Sequence, residues 1–196
     1  MAVDRERVSE LVRELLVAIG EDPERPGLKL TPQRVADAYA EFFAGVGEDA
    51  AEPLAHTISV SRGPAPDTLP SGAVMLRDIR FRSVCEHHLL PFAGHAHVAY
   101  LPGEQVVGLG ALPKVIDILA ARPQVQERLG EQVADAIAGS IDTRGVLVVL
   151  DAVHECVTMR GGRQPSASTV TVAARGRFTE PAERAEAIAL LTGGRT

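Results

Sequence analysis

Tryptophan is absent from this chain, aromatic residues make up only 4% of it, and just two cysteines occur. Scarce aromatics and a net charge of -6 exclude the stacking platforms and the bulk positive field by which nucleic acids are held, so no nucleic-acid partner is expected. An anion site can exist only as a local pocket of particular residues. No apolar run approaches the roughly 20 residues that span a bilayer, so membrane insertion is not expected either. Cys85 and Cys156 can make a single disulfide at most. In a reducing compartment, a cysteine pair accompanied by histidines points to metal binding or catalysis. Met1 to Gly20 alternates charge with hydrophobicity and lacks the apolar core of a signal peptide, which makes the cytoplasm the expected location. Only two of the 20 basic residues are lysines, Lys29 and Lys114, and either is conspicuous for that reason.

What is present suits a globular protein: 45% hydrophobic and 23% charged residues over 196, enough to bury a core. Val8, Leu11, Val12, Leu15, Leu16 and Ile19 recur at helical spacing, giving an amphipathic helix that ends at Gly20. Thr31 can cap a second helix with Pro32 in its first turn and Val35, Ala38, Tyr39 and Phe42 on one face. From Glu48 to Gly72 prolines and glycines surround a short β-like stretch, His56 to Ser61. Ala73 to Leu109 reads as antiparallel strands. Val115, Ile118 and Leu119, then Val125, Leu129, Val133 and Ile137 beyond Pro123, give two helices or one kinked helix. Gly145 to Val157 and Ser168 to Phe178 read as strands flanking the basic turn Arg160-Gly161-Gly162-Arg163, and Pro181 to Leu191 as a last helix. The expected organisation is an N-terminal helical extension (1–50), a linker with a short strand (51–72), a catalytic domain (73–180) and a C-terminal helix and tail (181–196). The order ββααββ predicts an α+β fold, an antiparallel sheet with its helices on one face.

The chemistry concentrates in Cys85-Glu86-His87-His88, with His154-Glu155-Cys156 near the end of a later strand. Zinc takes Cys and His, and a catalytic zinc keeps three protein ligands and leaves a position for water. Cys85, His88 and Cys156 satisfy that count, leaving His87 and His154 for proton transfer. Spacing alone also admits a closed structural site, or a buried cysteine beside surface histidines.

Cys85-Glu86-His87-His88-Leu89-Leu90-Pro91-Phe92, followed by His97-Val98-Ala99-Tyr100, strongly resembles the GTP cyclohydrolase I family. Asp22-Pro23 through Gly27-Leu28, Thr31-Pro32-Gln33-Arg34-Val35-Ala36, Arg122-Pro123-Gln124-Val125-Gln126-Glu127-Arg128-Leu129, and His154-Glu155-Cys156 with Met159-Arg160-Gly161 resemble its other blocks. The resemblance implies the tunnelling fold, in which ββααββ units assemble into a toroid, usually a homodecamer with active sites between subunits. It implies hydrolysis of the GTP imidazole ring at C8, release of formate and formation of 7,8-dihydroneopterin triphosphate. It implies zinc on Cys85, His88 and Cys156, proton transfer by His154 and His87, guanine recognition by Gln126 and Glu127, and phosphate contacts from Lys114 and Arg160. His95 and His97 are expected to pack or hydrogen-bond, and His56 has no argument for function.

One segment departs from the family. After the strand ending Val106-Val107-Gly108-Leu109 the family usually continues Ser-Lys-x-x-Arg, which grips the triphosphate; here the chain reads Gly110-Ala111-Leu112-Pro113-Lys114. A lost charge-assisted hydrogen bond is worth about 1.5–3 kcal/mol, or about 10- to 150-fold in affinity. Arg163, or Arg77, Arg80 or Arg82 of an adjacent subunit, can replace the charge and keep GTP as substrate. Alternatively the pocket is recut for a guanine derivative with fewer phosphates, such as GMP. A third reading is a non-catalytic assembly or regulatory subunit, against which both free histidines and Glu127 count.

Overall fold

The computed structural model describes residues 3–59, 72–160 and 164–193. Two compact units divide at Glu48 and Asp49.

In the first unit α1 (Arg5–Ala18) begins at Asp4, whose carboxylate accepts the Arg7 N–H at 3.0 Å. It stops where Gly20 takes a φ of +88°, a conformation glycine adopts without steric cost. Helix α2 (Thr31–Phe42) has Leu30 as its N-cap residue and no side-chain cap. Thr31 is therefore the first helical residue rather than the cap, because Pro32 fits either of the first two helical positions and does not fix the boundary.

The second unit opens with a 3-10 turn, Glu52–Leu54, and β1 (Thr57–Ser59), which pairs antiparallel with β4 (Gln105–Val107). The rest of the expected strand His56–Ser61, and Arg163 of the basic turn, lie outside the described residues. The main sheet contains β2 (Val74–Cys85), β3 (Pro91–Pro102), β5 (Pro123–Gln124), β6 (Thr143–His154) and β7 (Thr169–Gly176) in the order β5-β2-β3-β6-β7. All neighbours are antiparallel except β5, which lies parallel to β2. Between the halves of the sheet run α3 (Ala111–Ala120) and α4 (Gln126–Ser140), two helices rather than one kinked helix. Pro123 separates them by starting β5, a position where its missing N–H costs nothing.

Alternation along the strands sorts the side chains onto two faces. Val98, Tyr100, Val146, Val148 and Leu150 pack with Leu112, Val115, Ile116, Leu129 and Val133 of α3 and α4. The intervening Ala99, Leu101, Leu147 and Val149 pack with Ala187 and Leu191 of α6 (Pro181–Thr192) on the other face. The ββααββ unit thus carries both its helices on one face, as the order of elements predicts, while the C-terminal helix covers part of the opposite face. At the β2 bulge Arg77 and Asp78 together oppose His97, and the Asp78 N–H donates to His97 Nδ1 at 3.2 Å, a structural use of that histidine. The expected strand through Val157 ends earlier, at His154, where Glu155–Thr158 forms a helical turn, α5. That turn carries Cys156 off the sheet.

Candidate metal centre and its surroundings

Three chain reversals meet at one end of the sheet. Strand β2 ends at Cys85, and β3 returns from Pro91 after a turn closed by Cys85 N–H to Leu90 O and Leu89 N–H to Cys85 O, both 2.8 Å. Leu89 sits at φ +52°, a left-handed conformation that few branched side chains adopt, so the surrounding bonds hold some strain in this turn. Strand β6 arrives antiparallel to β3 with His154 opposite Phe92. Helix α4 starts beside them at Gln126.

This arrangement brings one ligand atom each from Cys85, His88 and Cys156 within 4.8 Å of one another. Cys85 is buried, Cys156 half-buried and His88 exposed, and Cys85 Sγ lies 3.8 Å from His88 Nδ1. Both cysteines are free thiols. Burial pushes the Cys156 thiol up, reinforced by Cys85, while the Arg160 guanidinium pulls it down. Arg160 is thus near enough to Cys156 to act on its charge.

His154 is the most enclosed histidine of the group. Its ring stacks on Phe92, its Nδ1 is buried with no hydrogen-bond partner among the described residues, and desolvation lowers its pKa against the opposing pull of the Ala152 backbone and the Glu127 carboxylate. The lowered value favours a neutral imidazole near pH 7. Glu127 is therefore close enough to His154 to be felt there. His87, by contrast, is exposed, with Nε2 3.8 Å from Glu86 Oε1.

Gln126 is 1% exposed. Its Nε2 donates to Leu150 O at 3.1 Å, Thr169 O at 2.8 Å and Thr171 Oγ1 at 3.1 Å, tying the start of α4 to β6 and β7. Its buried Oε1 has no hydrogen-bond partner among the described residues. Lys114 is exposed on α3, the helix that packs on β2, and forms no ion pair among the described residues. Sequence reasoning missed Phe92 as the platform for His154, and it missed a network joining Glu86, Gln124 and Arg128. The only signal for either was their place inside the Cys85–Phe92 and Arg122–Leu129 blocks.

A family model described as GTP cyclohydrolase I matches residues 8–192. A GTP cyclohydrolase 1 of Leifsonia xyli is 62% identical over 97% of each chain. Those of Carboxydothermus hydrogenoformans and Clostridioides difficile are 49% and 48% identical, covering 96% and 97% of this chain and 95% and 97% of theirs. Among solved structures, an archaeosine synthase QueF-like protein in the apo form is similar over 54% of this chain and 94% of its own, with a TM-score of 0.43 and 17% identity. The near full-length match and the high identities, together with the Cys-His-Cys group they frame, place this chain in the GTP cyclohydrolase I family of hydrolases.

Proposed function

We propose that this protein is a zinc-dependent cyclohydrolase that opens the imidazole ring of GTP at C8, releases formate and forms 7,8-dihydroneopterin triphosphate. The observation that carries the reading is the convergence of Cys85, His88 and Cys156 beside His154 and Glu127. Two thiols and an imidazole within 4.8 Å form a donor set suited to zinc and unsuited to magnesium or calcium, and three ligands leave a coordination position open. When bound there, zinc supplies Lewis acidity for hydration of the C8 carbon.

The chain's own groups do the rest. Glu127 presents two acceptor oxygens to the N1–H and exocyclic amine of guanine, fixing the base so that C8 faces the cysteines. His154, biased toward the neutral form, takes a proton during hydration and returns it to the ring nitrogen that departs from C8. Stacking on Phe92 excludes water from one face of that imidazole. His87 moves protons at the solvent side during ring opening and rearrangement. Gln126 holds the first turn of α4, and with it Glu127, against β6 and β7. Arg160 offers charge to the phosphates.

The lack of polar side chains at Gly110 and Ala111 favours one alternative substrate, a guanine nucleotide with fewer phosphates. Side-by-side turnover of GTP, GDP, GMP and guanosine, following formate and pterin fluorescence, decides between them. Formate and pterin from GTP, with much weaker turnover of GMP, support the principal reading; formate from none of the four rules out both.

A further inference from the structure

An ion pair between Glu86 and Arg128 joins two segments of the candidate site that lie 42 residues apart in sequence. Both partners are substantially exposed, with side-chain accessibilities of 33% and 44%, so the pair contributes little to stability. Its geometry is nonetheless tightly determined. Gln124 is buried, its Nε2 donates to Leu119 O at 3.0 Å and Gln132 Oε1 at 2.8 Å, and its Oε1 is thereby left to accept from Arg128 Nε at 3.2 Å. A guanidinium fixed at Nε has its plane fixed, and its terminal N–H group then meets Glu86 Oε2 from one direction. The backbone repeats the connection, because Glu86 N–H donates to Gln124 O at 2.9 Å.

The other carboxylate oxygen, Glu86 Oε1, faces His87 Nε2 at 3.8 Å. His87 is 65% exposed and, among the described residues, has only the edge of His88 as a ring neighbour, with centroids 6.2 Å apart. Packing within this chain does not set the direction of this imidazole. We propose that Arg128 and Glu86 are positioning residues for His87: the guanidinium holds one carboxylate oxygen so that the other orients the imidazole for proton transfer. The separation is longer than a hydrogen bond, as such contacts often are before substrate tightens them. The proposal rests on the reading of His87 as a proton-transfer group.

The test uses full-length, zinc-loaded protein carrying Glu86→Gln, Arg128→Ala, Arg128→Lys, Glu86→Gln with Arg128→Ala, and His87→Asn, assayed for formate release, metal content and oligomer size. Glu86→Gln and Arg128→Ala should each lower kcat at least about tenfold with KM within about threefold, and with metal content and assembly as in the wild type. Arg128→Lys should restore part of the loss, and the double variant should be no worse than the worse single one, as for residues acting as a unit. A crystal structure of Arg128→Ala should show His87 displaced. Full kcat in both single variants while His87→Asn is impaired overturns this proposal alone. Metal loss that parallels the activity loss, or an unmoved His87 ring, also overturns it. No loss in His87→Asn overturns the reading of His87 and the proposal together.

Discussion

The imidazole of His154 lies flat on the ring of Phe92, with centroids 4.6 Å apart and planes 4° apart. The stack follows from strand register, since His154 ends β6 directly opposite Phe92 near the start of β3. Phe92 is itself fixed edge-on by Phe81 at 6.1 Å, so the core of the sheet sets the attitude of a catalytic candidate. Phe92→Leu keeps an apolar side chain but removes the flat platform. It should cost about 1–2 kcal/mol in stability. It should also lower kcat by about tenfold or more, equivalent to about 1.4 kcal/mol. Melting temperature and steady-state kinetics on the same preparation check this; wild-type kcat in a destabilised variant would show that the stack is packing alone.

Gly94 lies two residues further along β3, where the sheet needs a residue without a side chain. A Cβ at this position would stand 1.9 Å from Asp151 O and 2.6 Å from Ala152 Cα, both backbone atoms of β6. The strands must separate to admit it, just beside the pair that aligns His154. Gly94→Ala should therefore destabilise the protein by about 1–3 kcal/mol, the range for overpacking, and reduce turnover further than its stability loss accounts for. Thermal unfolding and activity measured well below the melting temperature separate the two effects.

The succession of main strands and helices and the Cys85–His88 cluster are legible because both are local signals: alternation over long strands, and Cys85, Glu86, His87 and His88 within one turn. Register is not. Nothing in the periodicity of β3 or β6 says that Phe92 opposes His154, because that pairing depends on which residues form the intervening helices and turns. The end of β6 was placed too late because Val157 continues the apolar pattern, whereas the chain turns into α5 after His154. The resemblance implies a guanine contact for Gln126, but the sequence does not show how its side chain is held within the chain. Its burial and its three acceptors became visible only once α4, β6 and β7 were brought together.

Metal removal offers the most direct test of the cysteine cluster. One zinc per chain should survive gel filtration of the wild type, and Cys156→Ala should lose it along with activity. His154→Asn, at a residue outside the Cys85–His88–Cys156 group, should retain metal and lose turnover. Metal analysis and a thiol titration give both numbers. A Cys85–Cys156 disulfide in freshly reduced protein, or a fourth protein ligand closing the site, contradicts an open catalytic centre.

The sheet leaves two edges uncovered among the described residues. Strand β7 pairs only with β6, and β2 meets β5 only at Val84 and Cys85, so most of its outer edge has no partner within the chain. Val170 and Val172 on β7 are exposed as well. Edges of this length are normally paired or blocked, and head-to-tail pairing of β7 with the β2 of the next subunit would close a ring. A large closed homo-oligomer, a decamer in the family arrangement, is the expected state. Light scattering of a dilute sample should give a single high-mass species; a stable and active monomer would remove the ring from consideration.

Gly110 to Lys114 stand where the family resemblance implies contacts to the substrate's phosphates. Helix α3 begins at Ala111 after Gly110 with no side-chain cap, and Lys114 is its one cation within the first turns. A terminal phosphate brought into a pocket without matching charge loses more hydration than it regains in contacts. If no other cation compensates, the enzyme should discriminate little between GTP and GMP. Gly110→Ser, Ala111→Lys and Lys114→Arg together should then raise kcat/KM for GTP relative to GMP by at least about tenfold, about 1.4 kcal/mol of transition-state stabilisation. The gain should shrink as salt is raised, because it comes from added charge at an accessible helix. A wild-type enzyme that already prefers GTP strongly, with no further gain in the triple variant, requires the compensating charge to come from elsewhere. Arg160→Ala and Arg163→Ala would then be the variants to lose that preference, through KM more than through kcat.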